Sequence, residues 1–252
     1  MKTDGTKIEI RNLTMAYGSY TVMRDIAATV RRGSIFVIMG NSGSGKSTLL
    51  RHMLGLQRPA QGDVLYDGES FWGVDDEARQ AQLRKYGVLF QSGALWSSMT
   101  LAENVALPLV EYTDWSVTDR EDVVRLKLAL VGLSGFEDYY PAEISGGMRK
   151  RAGLARAMAL DPEILFFDEP SAGLDPITSR NLDKLILELR DSLGTTVVVV
   201  THELASIFMI ADDSIFLDAD TKKMRVQGNP RDLLKHSTDE KLRNFLTRGG
   251  AS

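Results

Sequence analysis

The sequence predicts an α/β protein with a parallel-sheet core, an N-terminal antiparallel β subdomain and an inserted α-helical subdomain. Short apolar runs, which suit strands buried on both faces, alternate with helix-compatible stretches along most of the 252 residues. The interval 92–160 has helical patterns and no convincing strand. We therefore expect residues 1–91 and 161–228 to form the β subdomain and the core, 92–160 the helical subdomain, and 229–252 a C-terminal helical tail.

The composition is that of an ordinary globular protein, with 43% hydrophobic and 25% charged residues. The 30 Lys and Arg against 34 Asp and Glu leave a formal charge of −4, which gives no argument for nucleic-acid binding. The absence of cysteine excludes disulfides, thiol catalysis and zinc–thiolate sites. No apolar run approaches the roughly 18 residues that a membrane span needs, and the first five residues lack the apolar core of a signal peptide. If the protein acts at a membrane, we expect it to act from the membrane surface.

The expected strands follow from apolar alternation and from apolar runs. Alternation at Ile8, Ile10 and Leu13 and a second stretch over 20–30 predict antiparallel strands at the start of the chain. Another hairpin is predicted at 62–68. The runs that suit buried parallel strands are 35–39, 86–90, 164–167, 195–200 and 214–217.

The expected helices follow from capping residues and apolar periodicity. Three of them are predicted over 47–56, around 120–131 and around 146–160. The most clearly marked helix has Asp175 as its cap, Pro176 in its first turn and Gly194 at its end. A last amphipathic helix is predicted after residue 240, because Ser237 and Glu240 have capping-box spacing.

A glycine-rich loop follows the strand at 35–39 and matches the complete pattern G-x-x-x-x-G-K-[ST]. Its glycines let successive N–H groups point at phosphate oxygens, and the following helix presents its positive end to the same anion. We expect Lys46 to reach the β- and γ-phosphates of a nucleotide and the Ser47 hydroxyl to ligate Mg²⁺. An ordinary strand–helix turn is the alternative interpretation. The predicted nucleotide-binding residues of this loop are Gly40, Asn41, Ser42, Gly43, Ser44, Gly45, Lys46, Ser47 and Thr48.

An acidic pair after a second buried strand supports the same chemistry. Asp168 stands at the carboxyl end of the strand at 164–167, where it can hold the magnesium shell, as in P-loop ATPases. Glu169 follows directly and is placed to polarise a water for in-line attack on the γ-phosphate. A solvated acidic turn would be an equal alternative without the P-loop. Together the two motifs predict a P-loop protein that hydrolyses a nucleotide.

A third motif, Ser145-Gly146-Gly147, indicates the class of P-loop protein. Between Ile144 and Met148 these residues resemble the signature of the ATP-binding-cassette (ABC) family, which usually reads Leu-Ser-Gly-Gly-Gln. The resemblance covers essentially the whole chain and extends to six motifs in the family's order. It implies a RecA-like P-loop core, ATP and Mg²⁺ as cofactors, and ATP hydrolysis coupled to transport.

The resemblance also implies roles for single residues. Tyr17 would stack on adenine, and Gln91 would be the Q-loop residue that contributes to magnesium and the attacking water. His202 would be the switch histidine that contacts the γ-phosphate and orders Glu169, and Asp175 would both cap its helix and belong to the D-loop dimer contact. The implied catalytic set is Glu169, His202, Gln91 and Lys46. The implied metal-binding set is Ser47, Gln91 and Asp168.

The signature also bears on quaternary structure. Ser145 can cap a helix whose free N–H groups favour an anion, and Gly146 and Gly147 allow close backbone approach. Two phosphate-binding helix ends that lie in separate lobes of one chain cannot both contact the same nucleotide. The resemblance therefore implies a head-to-tail homodimer that holds each ATP between the P-loop of one chain and Ser145, Gly146 and Gly147 of the other. The adjoining Arg149-Lys150-Arg151 is interpreted as a solvated helix face, not as a nucleic-acid patch.

Two departures from the common pattern narrow the choice of transporter. The Q-loop segment 90–96 reads Phe-Gln-Ser-Gly-Ala-Leu-Trp, and Met148 replaces the usual Gln. Both resemble the ATPases of the Mla/MCE lipid-transport systems. That resemblance implies an MlaE-type permease, an MCE-type periplasmic protein and a cytoplasmic chain peripheral to the inner membrane, with an accessory regulator as a further candidate partner. Because the chain ends soon after Leu246, we do not predict a reciprocal tail clasp.

The sequence leaves two alternative functions open. The first is the ATPase of a solute importer of the amino-acid type, which belongs to the same transporter class. The second is a soluble ABC ATPase, for which an iron–sulfur assembly protein of similar length is the example. The permease that copurifies with the protein would separate the transporter alternatives.

Overall fold

The part of the chain that the structure describes, residues 5–247 of a computed structural model, folds around one ten-stranded sheet. Its strands are β1 (Thr6–Tyr17), β2 (Tyr20–Arg31), β3 (Ile35–Gly40), β4 (Gln61–Tyr66), β5 (Glu69–Ser70), β6 (Tyr86–Leu89), β7 (Ile164–Asp168), β8 (Thr196–Val200), β9 (Asp213–Asp218) and β10 (Lys223–Gly228). Its helices are α1 (Lys46–Met53), α2 (Asp76–Leu83), α3 (Leu101–Tyr112), α4 (Val117–Leu130), α5 (Gly146–Ala157), α6 (Pro176–Leu193), α7 (Leu204–Ile210), α8 (Pro230–His236) and α9 (Glu240–Thr247). None of the helices within 5–247 has the length and apolar character that crossing a bilayer requires.

The sheet has a parallel half and an antiparallel half, in the order β5-β4-β1-β2-β10-β9-β3-β8-β7-β6. Strands β9, β3, β8, β7 and β6 run parallel to one another, as the alternation of strands and helices predicts. Strands β1, β2, β4 and β5 pair antiparallel. Strand β10 joins the halves, since it pairs with β9 and touches β2 at one residue pair. The predicted α/β class is confirmed, while the proposed division into subdomains stays a prediction.

Strand β3 shows how the central strands are buried on both faces. Ile35, Val37 and Met39 point into a cluster formed with the helices α3 to α7 and α9, whereas Phe36 and Ile38 point into a cluster formed with α1 and the β1–β2 hairpin. All five side chains are fully buried. This two-residue alternation explains why the sequence of β3 is apolar throughout.

The helical interval contains three α-helices where the sequence predicted two. Helix α3 was missed, although it has a local signal: the Thr100 hydroxyl accepts a hydrogen bond from the Glu103 amide, and the Glu103 carboxylate accepts one from the Thr100 amide. This reciprocal pair is a capping box. Pro108 stands inside α3 and lacks an amide donor, which locally disfavours a helix. Burial of Leu101 and Leu109 against the core stabilises the helix despite the proline.

Two helix boundaries differ from the predictions. Helix α1 ends at Met53 and not at residue 56, because Gly55 turns the backbone into the left-handed region at φ +69°. Helix α9 forms where expected, but its cap is Asp239, whose carboxylate accepts a hydrogen bond from the Leu242 amide at 3.1 Å. The predicted Ser237 cap is therefore wrong. Ser237 instead accepts a hydrogen bond from the Asp239 amide.

Other elements gave too weak a pattern to be predicted from the sequence. They are the short helices α2, α7 and α8 and the strand β10. Strand β10 is mostly polar, and it forms a strand because its backbone pairs antiparallel with β9. Helix α9 packs its apolar side on this chain's own core, with the Phe216 and Phe245 rings 5.2 Å apart. The predicted tail also includes residues 248–252, which lie outside the described residues.

Candidate functional site

The carboxyl ends of four neighbouring parallel strands form the edge at which the predicted catalytic residues meet. Strand β3 leads into the P-loop, β8 is followed by His202, β7 ends at Asp168, and β6 is followed by the Q-loop segment. Because parallel strands all end at the same side of a sheet, these segments lie side by side although they are far apart in sequence.

Backbone geometry explains why the P-loop needs glycine at two of its positions. Gly45 adopts φ +83°, and a Cβ atom there would lie 3.1 Å from Val22 Cγ1. At Gly40, a Cβ atom would lie 2.6 Å from the Leu217 carbonyl oxygen. Gly45 is also the N-cap of α1 and provides no side chain to bond the first amides of the helix. The positive end of α1 is therefore available to an anion.

Lys46 holds the loop in shape and carries the positive charge of the site. Its Nζ donates to the carbonyl oxygens of Gly40 at 3.0 Å and of Asn41 at 3.1 Å, and the residue is only 7% exposed. Burial lowers the pKa of Lys46, and the negative charges of Glu169 and Asp168 oppose that effect. The oxygens of a bound phosphate would accept hydrogen bonds from this ammonium, as water does at an exposed lysine.

A hydroxyl and a carboxylate converge beside Lys46. The Ser47 hydroxyl donates to Asp168 Oδ1 at 2.9 Å. Both groups present oxygen, the ligand type that Mg²⁺ prefers, and Mg²⁺ is commonly held by one or two carboxylates together with substrate phosphates. The donor set therefore fits a magnesium ion at this position. No cluster of three or more His, Asp or Glu side chains suited to a metal occurs within residues 5–247.

Glu169 and His202 form a pair next to the acidic end of β7. His202 Nδ1 lies 2.8 Å from Glu169 Oε1. The second carboxylate oxygen, Oε2, is buried and has no hydrogen-bond partner. Glu169 has φ +49°, and its amide donates to the Val200 carbonyl at 2.8 Å. A left-handed conformation is costly for a non-glycine residue and is often found at functional sites, where it re-aims a side chain.

Two further residues of the predicted set lie at the periphery of this edge. Gln91 follows β6, and its side chain is exposed. Tyr17 ends β1 and pairs across the hairpin with Tyr20, and the residue is 49% exposed. A Cβ atom on Gly45 would lie 3.3 Å from the side chain of Met15, so this end of the hairpin lies beside the P-loop. The exposed ring is therefore open to a base bound there.

The signature segment (Ser145, Gly146 and Gly147) lies on a different element, at the start of α5. The Ser145 hydroxyl accepts a hydrogen bond from the Met148 amide at 3.2 Å, which confirms the predicted cap. A Cβ atom on Gly147 would lie 2.7 Å from Thr178 Cγ2, so this glycine is needed for packing against α6. A Cβ atom on Gly146 would have no neighbour closer than 3.7 Å, which leaves its outer surface open.

The basic run after the signature is not the solvated helix face that the sequence suggested. Arg149 donates to the Ile144 carbonyl at 2.7 Å, and Arg151 donates to the Val131 carbonyl at 3.1 Å. Lys150 is buried and donates to the carbonyls of Pro170 and Ala172. These cations satisfy carbonyls of segments that pack around α5. A local sequence pattern does not show those partners.

Arg156, farther along α5, makes a contact that the sequence analysis missed. Its guanidinium donates to the carbonyls of Ala94 at 2.8 Å and Gly93 at 3.0 Å, both in the Q-loop segment. Gly93 and Ala94 have φ +78° and +49°. Helix α5 thus carries cations that anchor the Q-loop segment at one end and the segment after Glu169 at the other. Gly153, three residues earlier on the same side of α5, also packs on Gly93, and no local pattern in the sequence records either contact.

Asp175 caps α6 as predicted. Its Oδ1 accepts from the amides of Ile177 and Thr178, both at 3.0 Å, and its Oδ2 accepts from the Thr178 hydroxyl at 2.5 Å. The Thr178 hydroxyl and amide hydrogen bonds lower the pKa of Asp175. Gly194 ends the helix in the left-handed region at φ +65°. The role of Asp175 in a dimer contact stays a prediction.

Sequence comparisons agree with this geometry. The profile of the ABC transporter family matches residues 23–172. A probable ribonucleotide transport ATP-binding protein, mkl, of Mycobacterium tuberculosis is 41% identical over 96% of this chain and 67% of its own length. The intermembrane phospholipid transport ATP-binding protein MlaF of Escherichia coli is 41% identical over 95% of this chain and 88% of its own length. The methionine import ATP-binding protein MetN 1 of Rhodococcus jostii is 42% identical over 84% and 64%.

Comparisons with solved structures give the same fold. The cbiO1 protein of Clostridium perfringens, part of the ABC transporter complex cbiONQ, superposes with a TM-score of 0.84 at 25% identity and covers 97% of this chain and 96% of its own. The dimeric bacterial ABC transporter cassette MJ0796 superposes with a TM-score of 0.79 at 30% identity, covering 88% and 98%. A post-hydrolysis dimer of the same cassette, bound to ADP and Pi, gives 0.77 at 29% identity.

Proposed function

The chain belongs to the ABC transporter ATP-binding family, and from that membership we propose that it is the ATPase subunit that drives phospholipid or other lipid transport across a bacterial envelope. As an ABC ATPase it binds and hydrolyses ATP. The observation that carries the chemistry is the contact set at one sheet edge, in which Ser47 bonds Asp168 and His202 bonds Glu169 beside the P-loop.

We assign the reaction steps on this chain as follows. Lys46 and the amides at the start of α1 bind the phosphates, and Tyr17 stacks on the base. Ser47 and Asp168 would hold Mg²⁺, which would supply positive charge to neutralise the phosphate oxygens. Glu169 accepts a proton from the attacking water through its carboxylate, of which Oε1 contacts His202 and Oε2 has no hydrogen-bond partner. His202 orients the carboxylate through Oε1.

The second half of the phosphate cradle comes from a partner copy in this proposal. The signature segment is on α5, whereas the catalytic pair follows β7 and β8. A head-to-tail dimer would bring Ser145, Gly146 and Gly147 of one copy to the nucleotide of the other. The dimeric cassette MJ0796, whose fold this chain shares, supports such an assembly.

The membrane permease would dock in a groove beside the Q-loop segment. A cavity of about 550 Å³ opens between α2, β6 and α3. Its lining includes Leu83, Arg84, Phe90, Leu107, Tyr112 and Arg156. Arg156 also holds the carbonyls of Gly93 and Ala94, so an occupant of the groove would touch a side chain that positions the Q-loop segment. We propose that a cytoplasmic helix of an MlaE-type permease occupies it, which would place the chain on the cytoplasmic face of the inner membrane, and that an MCE-type protein acts on the other side.

The assignment to lipid rests on the MlaF relative, which covers more of both chains than MetN 1 does. MetN 1 is the observation that favours the second candidate, an importer of amino-acid type. Relatives with three differently named cargoes share 41–42% identity with this chain, as expected if cargo passes through the permease and not through the ATPase.

Isolation of the native membrane complex tests the proposal. We expect an MlaE-type permease and an MCE-type protein to copurify with the chain, and we expect Leu107→Arg to release the permease while ATP binding is retained. Phospholipid exchange between labelled vesicles and the reconstituted complex should require ATP. Copurification of a permease that works with a solute-binding protein would instead establish the importer.

A further inference from the structure

A buried lysine outside the predicted site connects the signature helix to the segment after Glu169. Lys150 lies in the second turn of α5 and is 6% exposed. Its Nζ donates to the Pro170 carbonyl at 2.6 Å and to the Ala172 carbonyl at 2.5 Å. Burial lowers the pKa of Lys150, and the negative charge of Glu169 opposes that effect. An ammonium is removed from water only where other groups satisfy its donors, and here backbone carbonyls do so.

The two carbonyls belong to the turn that fixes the backbone of Glu169. The Ala172 amide donates to the Glu169 carbonyl at 3.1 Å, and the Leu174 amide donates to the Ser171 carbonyl at 3.1 Å. Lys150 therefore donates hydrogen bonds to this turn on both sides of Ser171. Because Glu169 itself is in a left-handed conformation, the segment that follows it must hold that conformation in place.

The same face of α5 touches the next helix. Gly147 precedes Lys150 by three residues, so the two lie on one side of the helix. Thr178 in the first turn of α6 packs so close to Gly147 that a Cβ atom would lie 2.7 Å from it. Two contacts thus tie the start of α5 to the residues between β7 and α6, one through packing and one through the buried ammonium.

We infer that Lys150 is a positioning residue for ATP hydrolysis, which holds the turn after Glu169 and the signature segment in a fixed relation within one chain. This rests on the proposed function, because the signature segment serves the partner's nucleotide while Glu169 serves the chain's own. A change at one nucleotide site would reach the other through this side chain. Lys150 donates to backbone carbonyls and not to the P-loop, so we expect its loss to lower turnover and to leave the P-loop intact.

Three substitutions in the full-length protein test the inference. Lys150→Met keeps the length of the side chain and removes both donors and the charge. Lys150→Gln restores an amide donor without the charge. Lys127→Met is the matched control, since Lys127 is also a buried lysine, 3% exposed and paired with Asp161, in α4. It has the same kind of structural cost and is not part of the site.

Steady-state ATP hydrolysis, ATP binding and thermal unfolding are measured for each protein. We expect Lys150→Met to lower kcat by about tenfold or more, as small misplacements of catalytic groups do, with the Kd for ATP changed less than twofold. Lys150→Gln should recover part of kcat. Lys127→Met should keep kcat within about twofold of the original protein while its Tm falls, because it removes only a structural contact. If Lys150→Met keeps kcat, or if Lys127→Met loses as much, Lys150 has no positioning role.

Failure of the inference and failure of the proposed function give different results. If the unmodified protein hydrolyses no ATP, the proposed function fails. If it hydrolyses ATP and Lys150→Met does so equally well, the ATPase stands and only the role of Lys150 is wrong.

Discussion

The chain contains two helix N-termini suited to phosphate, and they are built differently. The N-cap of α1 is Gly45, which has φ +83° and gives the helix no side-chain cap, and Lys46 is the first residue of the helix. The N-cap of α5 is Ser145, which has φ −67° and caps the helix with its own hydroxyl. The first end has a cation, a hydroxyl and two carboxylates within one chain. The second has amides and a hydroxyl, and its nearby cation, Arg149, donates to the carbonyls of Pro141 and Ile144 in the same chain.

This difference assigns nucleotide binding to the P-loop end and completion of the catalytic site to the signature end. The P-loop end can hold a triphosphate by itself, since charge, hydrogen-bond donors and metal ligands all converge there. The signature end adds amide and hydroxyl donors, and its Arg149 is already bonded to carbonyls of its own chain, so this end contributes to a nucleotide that is already held elsewhere. Changes at the P-loop end should therefore affect binding or chemistry in each chain, and changes at the signature end should affect turnover only in the assembled dimer.

Glu169→Gln should give the largest effect, because it leaves the shape of the P-loop end and removes its proton acceptor. We expect kcat to fall by about 10²- to 10⁴-fold, the usual contribution of general-base catalysis. ATP should still bind, since the phosphate-binding groups are unchanged. Phosphate release and equilibrium ATP binding measure the two quantities. Unchanged steady-state hydrolysis would remove Glu169 from the catalytic role.

Lys46→Ala should come next and should act on binding. The substitution removes a charge-assisted contact to phosphate, which is worth about 1.5–3 kcal/mol or about 10- to 100-fold in Kd. It also leaves the Gly40 and Asn41 carbonyls without this donor. Titration with a fluorescent ATP analogue measures the loss. A Lys46→Ala protein with normal affinity and turnover would contradict the P-loop assignment, and Lys127→Met serves as a control for the loss of a lysine.

A pair of glycine substitutions compares the two ends directly. Gly45→Ala forces a left-handed alanine and should destabilise the fold by about 1–2 kcal/mol. Gly146→Ala meets no atom within 3.4 Å in the chain and should leave Tm equal or higher. Its methyl group would nevertheless keep the partner's phosphate away, so we expect ATP hydrolysis to fall by about tenfold, the value of one hydrogen bond to a charged group. Full activity of Gly146→Ala would mean that the signature end contacts no nucleotide.

The smallest expected effect is on the pH dependence of ATP binding, which should arise at the P-loop end alone. Burial lowers the pKa of Lys46, with Glu169 and Asp168 opposing, whereas residues 145–148 contain no titratable side chain. Above the lowered pKa, ATP binding requires Lys46 to take up a proton. The Kd should therefore rise with pH on the alkaline side, by at most about tenfold per pH unit. Gly146→Ala should keep this slope and Lys46→Ala should lose it; an equal slope in both would assign it to another group.

Local patterns were enough to predict most of the sheet and the P-loop. The apolar runs become β3, β6, β7, β8 and β9, since an apolar segment bounded by turns has few ways to be buried. Asp175 and Gly194 bound α6 as expected, because capping depends on residues within one turn. Helix α3 was missed in spite of its capping box; Pro108 locally disfavours this helix, and burial in the core stabilises it.

The sequence by itself determined which groups the protein has for phosphate chemistry and in what order they occur. Only the tertiary structure decided which of them meet: the Ser47 hydroxyl with Asp168, His202 with Glu169, and Lys150 with the turn after Glu169. A glycine spacing or a helix cap acts over a few residues and is visible in the sequence. The burial of a cation depends on carbonyls that the fold brings from distant segments, and no local pattern records them.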